Sequence, residues 1–440
     1  MIDNRKLGRL EQAMEILNSR AKTWNIVTIS RINGYIYEET MRQALDMIRC
    51  RHPRLNSRIV RYQNSLSFQT QETANIPLRF LKVLDNQQWQ EVVCEEMNEG
   101  IDSSKGLLRV VLVHLSGDRH ISYLITTIHH AIADGLSCIR LHSEILTFCQ
   151  KIVSNEPINS VTSLTSLPPI EELMPQWTKG FRGRINSAIF LLQLGLQEIW
   201  NRPKTLGFEK YVSIAKRSCN IIHRQLDQEL TQKFVNCCKQ ENTTVHNALC
   251  AALMLTVART IVRGKRKDIR VNCISYLDLR RHLKPAISDE HLAILSSSIM
   301  EFHLIKSNSS FWELAREVKH KLEVSTNHSD FFKMVLVAKD LINFCCIYPK
   351  KIAATVSVSN IGKINISKSY GKFELEEISF ISSNAFFAGI FAIHVLTFQE
   401  KMLLNISFSQ PSISQITMEH LVNNFISYIS DICNLNCNYY

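Results

Sequence analysis

Glycine and proline are scarce in this chain of 440 residues, at 14 and 10. That scarcity excludes collagen-like, linker-like and low-complexity designs. Cysteine is present 13 times, an odd number, but never in C-x-x-C spacing, and Cys237-Cys238 and Cys345-Cys346 are the only adjacent pairs. A zinc ribbon or a disulfide framework needs a different pattern. The cysteines therefore read as small hydrophobes in a reducing cytosol, and the expected location is cytoplasmic. The opening MIDNRKLGRLEQAMEILNSR is polar and helix-like, with no secretory apolar core. No G-x-S-x-G elbow is present, so a serine nucleophile is not indicated.

A composition of 45% hydrophobic and 21% charged residues describes a folded chain, and the length allows two or three units with cores of their own. Lys and Arg number 51 against 40 Asp and Glu, leaving a net charge of +11. This modest excess favours anionic partners such as phosphates, coenzyme A or an acidic carrier protein. Nucleic acid is not expected, because no aromatic-basic interleaving, finger or helix-turn-helix pattern accompanies the charge.

The uncharged run from Ser379 to Gln399 is about long enough to cross a bilayer. Ser382, Ser383, Asn384, Gly389 and His394 interrupt it, and a mirrored apolar run follows. GIFAIHVLTF, QEK and MLLNISF predict two strands joined by a tight turn. No transmembrane segment is expected.

Elsewhere strand and helix signals alternate. NIVTISRING predicts a strand, EETMRQALDMIRCRHPRL a helix stopped by Pro53, and Gln87 to Asn98 a second helix. LLRVVLVHL and HISYLITTI predict two strands joined by a turn at Ser116-Gly117-Asp118-Arg119, and HHAIADG leads into an amphipathic helix from Leu136 to Gln150. The Ser-, Thr- and Pro-rich stretch Ser154 to Pro175 is the clearest linker. It suggests a division into 1–176 and 177–440. Phe181 to Trp200 reads as a mostly apolar helix with basic residues at its start. It can cover a core or lie on a membrane surface, and plain packing is the expectation. Beyond it come a strand near Asn220, helices at Gln228 to Gln240 and VHNALCAALMLTVARTIVRG, and strands at IRVNCISYLDLR, Ile299 to Leu304 and AATVSVSNIG. Mixed α/β content in both halves, with no internal repeat, predicts two lobes of similar size.

The one sharp chemical feature is His129-His130-Ala131-Ile132-Ala133-Asp134-Gly135, between a strand and a helix. Histidine suits a general base near neutral pH. An acid four positions on can orient an imidazole, or lock the loop by pairing with a cation from elsewhere. The glycine allows a tight loop and brings a backbone N–H close to whatever lies above the histidine. Core histidines, a bare structural turn and a metal site compete with that reading. The metal reading lacks third and fourth ligands nearby, and no metal is expected.

HHAIADG matches the HHxxxDG signature of the superfamily that holds chloramphenicol acetyltransferase-like acyltransferases and the condensation domains of nonribosomal peptide synthetases. RQALDMIRCRHPRLNSRI, TTVHNALCAALMLTVAR, VNCISYLDLRRHL and VSVSNIGKI resemble further family segments in the right order, so the resemblance runs from about Arg5 to Pro411. It implies an α/β (α+β) architecture of two chloramphenicol acetyltransferase-like lobes, each a mixed sheet with flanking helices, and an active site in a tunnel between them. It also implies an acyltransferase moving groups other than aminoacyl, in lipid or secondary metabolite biosynthesis. No cofactor stays bound; acyl-CoA or an acyl carrier protein serves as co-substrate, and an alcohol or amine accepts.

Carried over residue by residue, the catalytic motif positions are His130, similar to the family's base, and Asp134, which in the family is largely structural and pairs with an arginine. Arg280 of Asp278-Leu279-Arg280 is the matching candidate. His129 and Gly135 support the site, Gly135 as a possible oxyanion donor. Ser359 and Asn360 lie on the strand that crosses toward it in the family, although Asn360 reads equally as a bulge or turn residue before Gly362. The basic run Arg263, Lys265, Arg266 and Lys267 is either a solvated loop or a dock for coenzyme A phosphates or a carrier protein's acidic face. The DFGWG motif of plant alcohol acyltransferases and the early condensation-domain motif are absent, as are adenylation and carrier motifs. RKLGRLEQAM and SNIG look closest to stand-alone alcohol acyltransferases of the phthiocerol diester-forming type, and wax ester synthases share the motif. The alternatives are a free-standing enzyme forming amides on carrier-bound substrates and a catalytically silent binding homologue.

Overall fold

β-branched runs set many strands of this protein, and three of these strands pair with each other. Ile26–Asn33 lies antiparallel to Ile121–Ile128, which lies antiparallel to Leu108–Leu115. Alternate side chains of Ile121–Ile128 point to opposite faces, yet all eight residues are buried, so the strand is covered on both sides. The computed structural model describes residues 4–436 except 64, 71–72, 86, 117–119, 159, 264, 266 and 384–388. The expected turn at 117–119, the interrupting Asn384 and the candidate Arg266 lie outside the described residues.

The chain divides into two units. The first comprises Met1–Pro175, Leu279–Leu295 and Ile364–Ser383; the second comprises Gln176–Asp278, Ser296–Lys363 and Asn384–Tyr440. A single cut between 176 and 177 assigns Leu279–Leu295 and Ile364–Ser383 to the wrong partner, because strand pairing and a buried ion pair tie them to the N-terminal part.

The first unit holds a six-stranded sheet in the order Ser369–Tyr370, Phe373–Ser382, Ile26–Asn33, Ile121–Ile128, Leu108–Leu115, Leu78–Val83. All neighbours are antiparallel except the last pair. The helices Glu38–Arg51 and Gly135–Val153 are amphipathic, and each buries one stripe. The expected linker is irregular but not loose. The Leu164 N–H donates to the Arg51 carbonyl, and the Glu171 carboxylate accepts from the Leu10 N–H.

The second unit holds another six-stranded mixed sheet: Ser296–Ile305, Ile269–Asp278, Val356–Lys363, Phe391–Phe398, Lys401–Gln410, Ser218–Leu226. Val356–Lys363 runs parallel to both neighbours. Phe391–Phe398 and Lys401–Gln410 form the predicted hairpin, turning through Gln399 and Glu400 at φ of 48° and 64°. The helix Val245–Val262 is long and apolar enough to cross a membrane by length and composition, but 67% of that window is buried in the core, against Phe234, Val271 and Leu404 among others. A helix apolar on every side suits the middle of a domain. Buried Cys238, Cys250 and Cys273 lie in the same core, where Cys250 Sγ is 3.5 Å from His246 Nε2 and 3.8 Å from Ser275 Oγ rather than in purely apolar surroundings.

One expectation fails here. The helix Gly180–Asn201 uses few of its apolar residues for packing, since Gly183 and Phe190 are its only buried positions. Phe190 and Leu194 meet Met334, Val337 and Leu341 of the helix Asp330–Ile347, and the opposite stripe faces outward.

Candidate active site

The HHAIADG segment follows the strand Ile121–Ile128 and ends where the helix Gly135–Val153 begins. Its two histidines are used differently. His129 is fully buried. The Ala131 N–H donates to its Nδ1 at 3.1 Å, which leaves the proton on Nε2, 2.9 Å from the Glu15 carboxylate. Ser103 donates to the other Glu15 oxygen at 3.1 Å. His129 is thus a satisfied core histidine that anchors the loop.

His130 is half-buried, its ring stacked on Trp24 with centroids 6.0 Å apart and planes 15° from parallel. Its Nδ1 lies 2.7 Å from the Ala133 carbonyl oxygen. A carbonyl can only accept, so Nδ1 carries the proton and the Nε2 lone pair is left to take another. Burial pushes the imidazole below the ordinary histidine range, against the opposing pull of the Ala133 carbonyl and the Asp134 charge. The neutral, proton-accepting form is therefore favoured near neutral pH.

Asp134 does not hold the His130 ring; Ala133 does. The Asp134 carboxylate accepts from Arg280 Nη1 at 2.8 Å and Nη2 at 3.0 Å, from the Ser137 N–H at 2.9 Å and from the Leu295 N–H at 3.1 Å. Both side chains of the pair are buried. Burial alone raises such a carboxyl, but the Arg280 guanidinium and these donors outweigh it, and Asp134 is held below the usual carboxylate range. As the N-cap of its helix, Asp134 also supplies a partner for one of the helix's unsatisfied N–H groups. Ser137 completes the cluster by accepting from Arg280 at 2.8 Å and donating to the Ala293 carbonyl.

Gly135 is the first residue of that helix and lies under the Phe380 ring. A Cβ placed there meets Phe380 Cε2 at 2.9 Å. Two turns on, His142 bridges two strands through Nδ1 to Ser30 Oγ and Nε2 to Thr126 Oγ1, both at 2.8 Å. With no charged partner to compensate, burial pushes its pKa down to about 3.

Ser359 and Asn360 belong to the second unit. Ser359 is opposite His394 in the parallel ladder, and the register shifts between Asn360 and Lys363. Asn360 Oδ1 accepts from the Gly362 N–H at 2.9 Å, and Gly362 has φ of 76°. The Asn360 side chain is thus engaged in the local irregularity. Arg263 ends the helix Val245–Val262 in the left-handed region at φ of 49°, and Arg263, Lys265 and Lys267 are exposed. Among the described residues no cluster of three or more His, Cys, Asp or Glu is placed to hold a metal ion.

Sequence reasoning missed Glu15, Trp24, Leu295 and Phe380. Only Glu15 left a local signal: an acid on the buried face of a helix that also buries Leu10, Ala13, Met14 and Leu17. Such an acid needs a buried partner.

Known proteins resemble this chain in sequence and in fold. The family model described as condensation domain matches residues 12–164, and the one described as phthiocerol/phthiodiolone dimycocerosyl transferase C-terminus matches residues 216–406. A probable alcohol acetyltransferase, FCK4 of Fusarium pseudograminearum (strain CS3096), is 24% identical over 281 residues, which are 58% of this chain and 56% of that protein. Bacitracin synthase 1 of Bacillus licheniformis is 22% identical over 432 residues, 95% of this chain and 8% of that protein. The chain thus spans about half of the first relative and a small part of the second. Among solved structures, the TRI3 trichothecene 15-O-acetyltransferase of Fusarium sporotrichioides has a TM-score of 0.74 at 12% identity, covering 98% of this chain and 96% of that one, a likeness of fold. A family model thus matches each of two stretches, residues 12–164 and 216–406, and in sequence and fold the chain resembles the condensation-type acyltransferase superfamily.

Proposed function

We propose that the protein transfers an acyl group from a thioester, acyl-CoA or acyl carrier protein, to an alcohol, with His130 as the general base. The observation that carries this reading is the Nδ1 contact with the Ala133 carbonyl, which leaves Nε2 as proton acceptor. The acceptor hydroxyl gives its proton to Nε2 while its oxygen attacks the thioester carbonyl. The tetrahedral adduct then collapses, the C–S bond breaks, and the departing thiolate recovers the proton from Nε2. Asp134 and Arg280 are positioning residues: they hold the loop and touch no reacting atom. Gly135 offers a backbone N–H to the oxyanion.

Thiol release from a panel of acyl-CoA donors and alcohols tests this. His130→Ala should lower turnover about 10²–10⁴-fold while the protein stays folded. Unchanged turnover removes His130 from the mechanism. The exposed Arg263, Lys265 and Lys267 are proposed to meet the phosphates of the donor. Charge reversal at Lys265 and Lys267 should then raise KM for acyl-CoA and leave kcat alone.

The condensation-domain match over residues 12–164, which contain the motif, favours a second reading in which an amine attacks and the donor is carrier-bound. Turnover only with carrier-bound donors and amine acceptors would select it.

A further inference from the structure

The helix Gly180–Asn201 carries an apolar stripe that the protein itself leaves uncovered. Phe181, Ile185, Ile189, Leu192, Leu196 and Ile199 recur at intervals of four or three, which places them on one face of a helix. Phe181 is 77% exposed, Leu192 64% and Ile199 66%. The opposite face is the one occupied, through Phe190 and Leu194, by the helix Asp330–Ile347. Trp200 ends the stripe at 75% exposure. Monomeric proteins rarely expose so long a continuous apolar band without something to cover it.

The charges around it identify the cover. Arg182 and Arg184 fall on either edge of the stripe, and both are exposed. They sit in the first two turns, near the helix end where the dipole disfavours cations, and the first turn has no acidic residue to offset them, so local helix energetics do not select them. Arg202 and Lys204 are exposed just past the other end. The helix's one acid, Glu198, is 3.5 Å from Lys351. That lysine borders a groove lined by Tyr211, Phe344, Ile347 and Tyr348 beside Lys350, so exposed apolar and cationic side chains continue past the helix. An apolar face flanked by cations, with a tryptophan at its end, has the composition of a helix that lies in a lipid interface.

We propose that this face docks on an anionic phospholipid bilayer, the helix lying in the plane of the surface with Phe181, Leu192, Leu196 and Ile199 in the acyl boundary and the arginines at the phosphates. The proposal is independent of the acyl-transfer reading.

Flotation of the full chain with phosphatidylcholine vesicles, with and without phosphatidylglycerol, tests it. Binding is expected only with the anionic lipid and should weaken with salt. Trp200 emission should shift to the blue on binding and be quenched by brominated acyl chains, and Trp200→Phe should remove that response. The pair Leu192→Glu and Leu196→Glu, both at exposed positions, should cut partitioning about tenfold or more with an unchanged thermal melt. Arg182→Glu with Arg184→Glu should abolish the preference for anionic lipid. Equal binding to neutral vesicles, or no binding to either, overturns the proposal. So does a solution dimer that Leu192→Glu dissociates, because a second copy would then cover the stripe.

Discussion

Asp134 and Arg280 are 146 positions apart in the chain, yet they meet through two parallel hydrogen bonds of 2.8 and 3.0 Å in a site closed to water. The pair joins the motif loop to the segment Leu279–Leu295, whose Leu295 N–H binds the same carboxylate. A planar guanidinium suits such bidentate pairing, which a lysine cannot reproduce.

Removing one partner leaves the other charge buried alone. Asp134→Ala is therefore expected to cost about 3–5 kcal/mol, read from a urea or thermal transition, and to lower activity with it. The sign with pH follows from the depressed carboxyl: the stabilisation is complete above the ordinary carboxylate pKa and fades as pH falls through the lower folded value. An Asp134 variant as stable as the parent but slow would refute this division of labour.

The acid limb of kcat/KM should lie below about 6.5, the ordinary histidine value, because burial disfavours protonated His130. A pH–rate profile checks it. A midpoint at or above that value, or the same limb in the residual activity of His130→Ala, would assign the limb to another group.

Gly135→Ala should destabilise the fold by about 1–3 kcal/mol, since its Cβ meets the Phe380 ring at 2.9 Å. At a helix position free of that ring, alanine would stabilise instead. Combining Gly135→Ala with Phe380→Leu should therefore recover stability relative to the glycine variant alone. Independent, additive losses in the double variant would show that the ring is not the obstacle.

His142 predicts an acid-side loss of stability. Its folded pKa is pushed down to about 3, so below about 6.5 the unfolded chain takes up a proton that the folded chain refuses. Each pH unit between those values should cost about 1.4 kcal/mol from this residue. Comparing the pH dependence of unfolding in the parent and in His142→Gln isolates the contribution. Identical slopes would mean that His142 is protonated in the folded state.

Much of this architecture is legible locally. Pro53 stops its helix, the Gln228 to Gln240 helix has its predicted bounds, and the hairpin at Phe391–Gln410 follows from two mirrored apolar runs. Each depends on neighbours a few residues away, through side-chain periodicity and turn chemistry. The motif's place between strand and helix is legible for the same reason. Arg280 as the partner of Asp134 came from resemblance alone, because no periodicity links positions so far apart.

Tertiary packing decided the rest. An acid four positions after His130 can orient a ring or pair with a cation, and the two are indistinguishable until Arg280 and the Ser137 and Leu295 N–H groups are seen to take its lone pairs. The apolar stripe from Phe181 to Ile199 reads as packing in sequence, since hydrophobicity says that a face should be covered but not by what. In the fold the helix Asp330–Ile347 takes the opposite face, and the stripe is left to the surroundings. The amino-acid order determined which faces are apolar and where the chain turns; long-range contacts decided which of those faces meet, and which histidine keeps a lone pair to use.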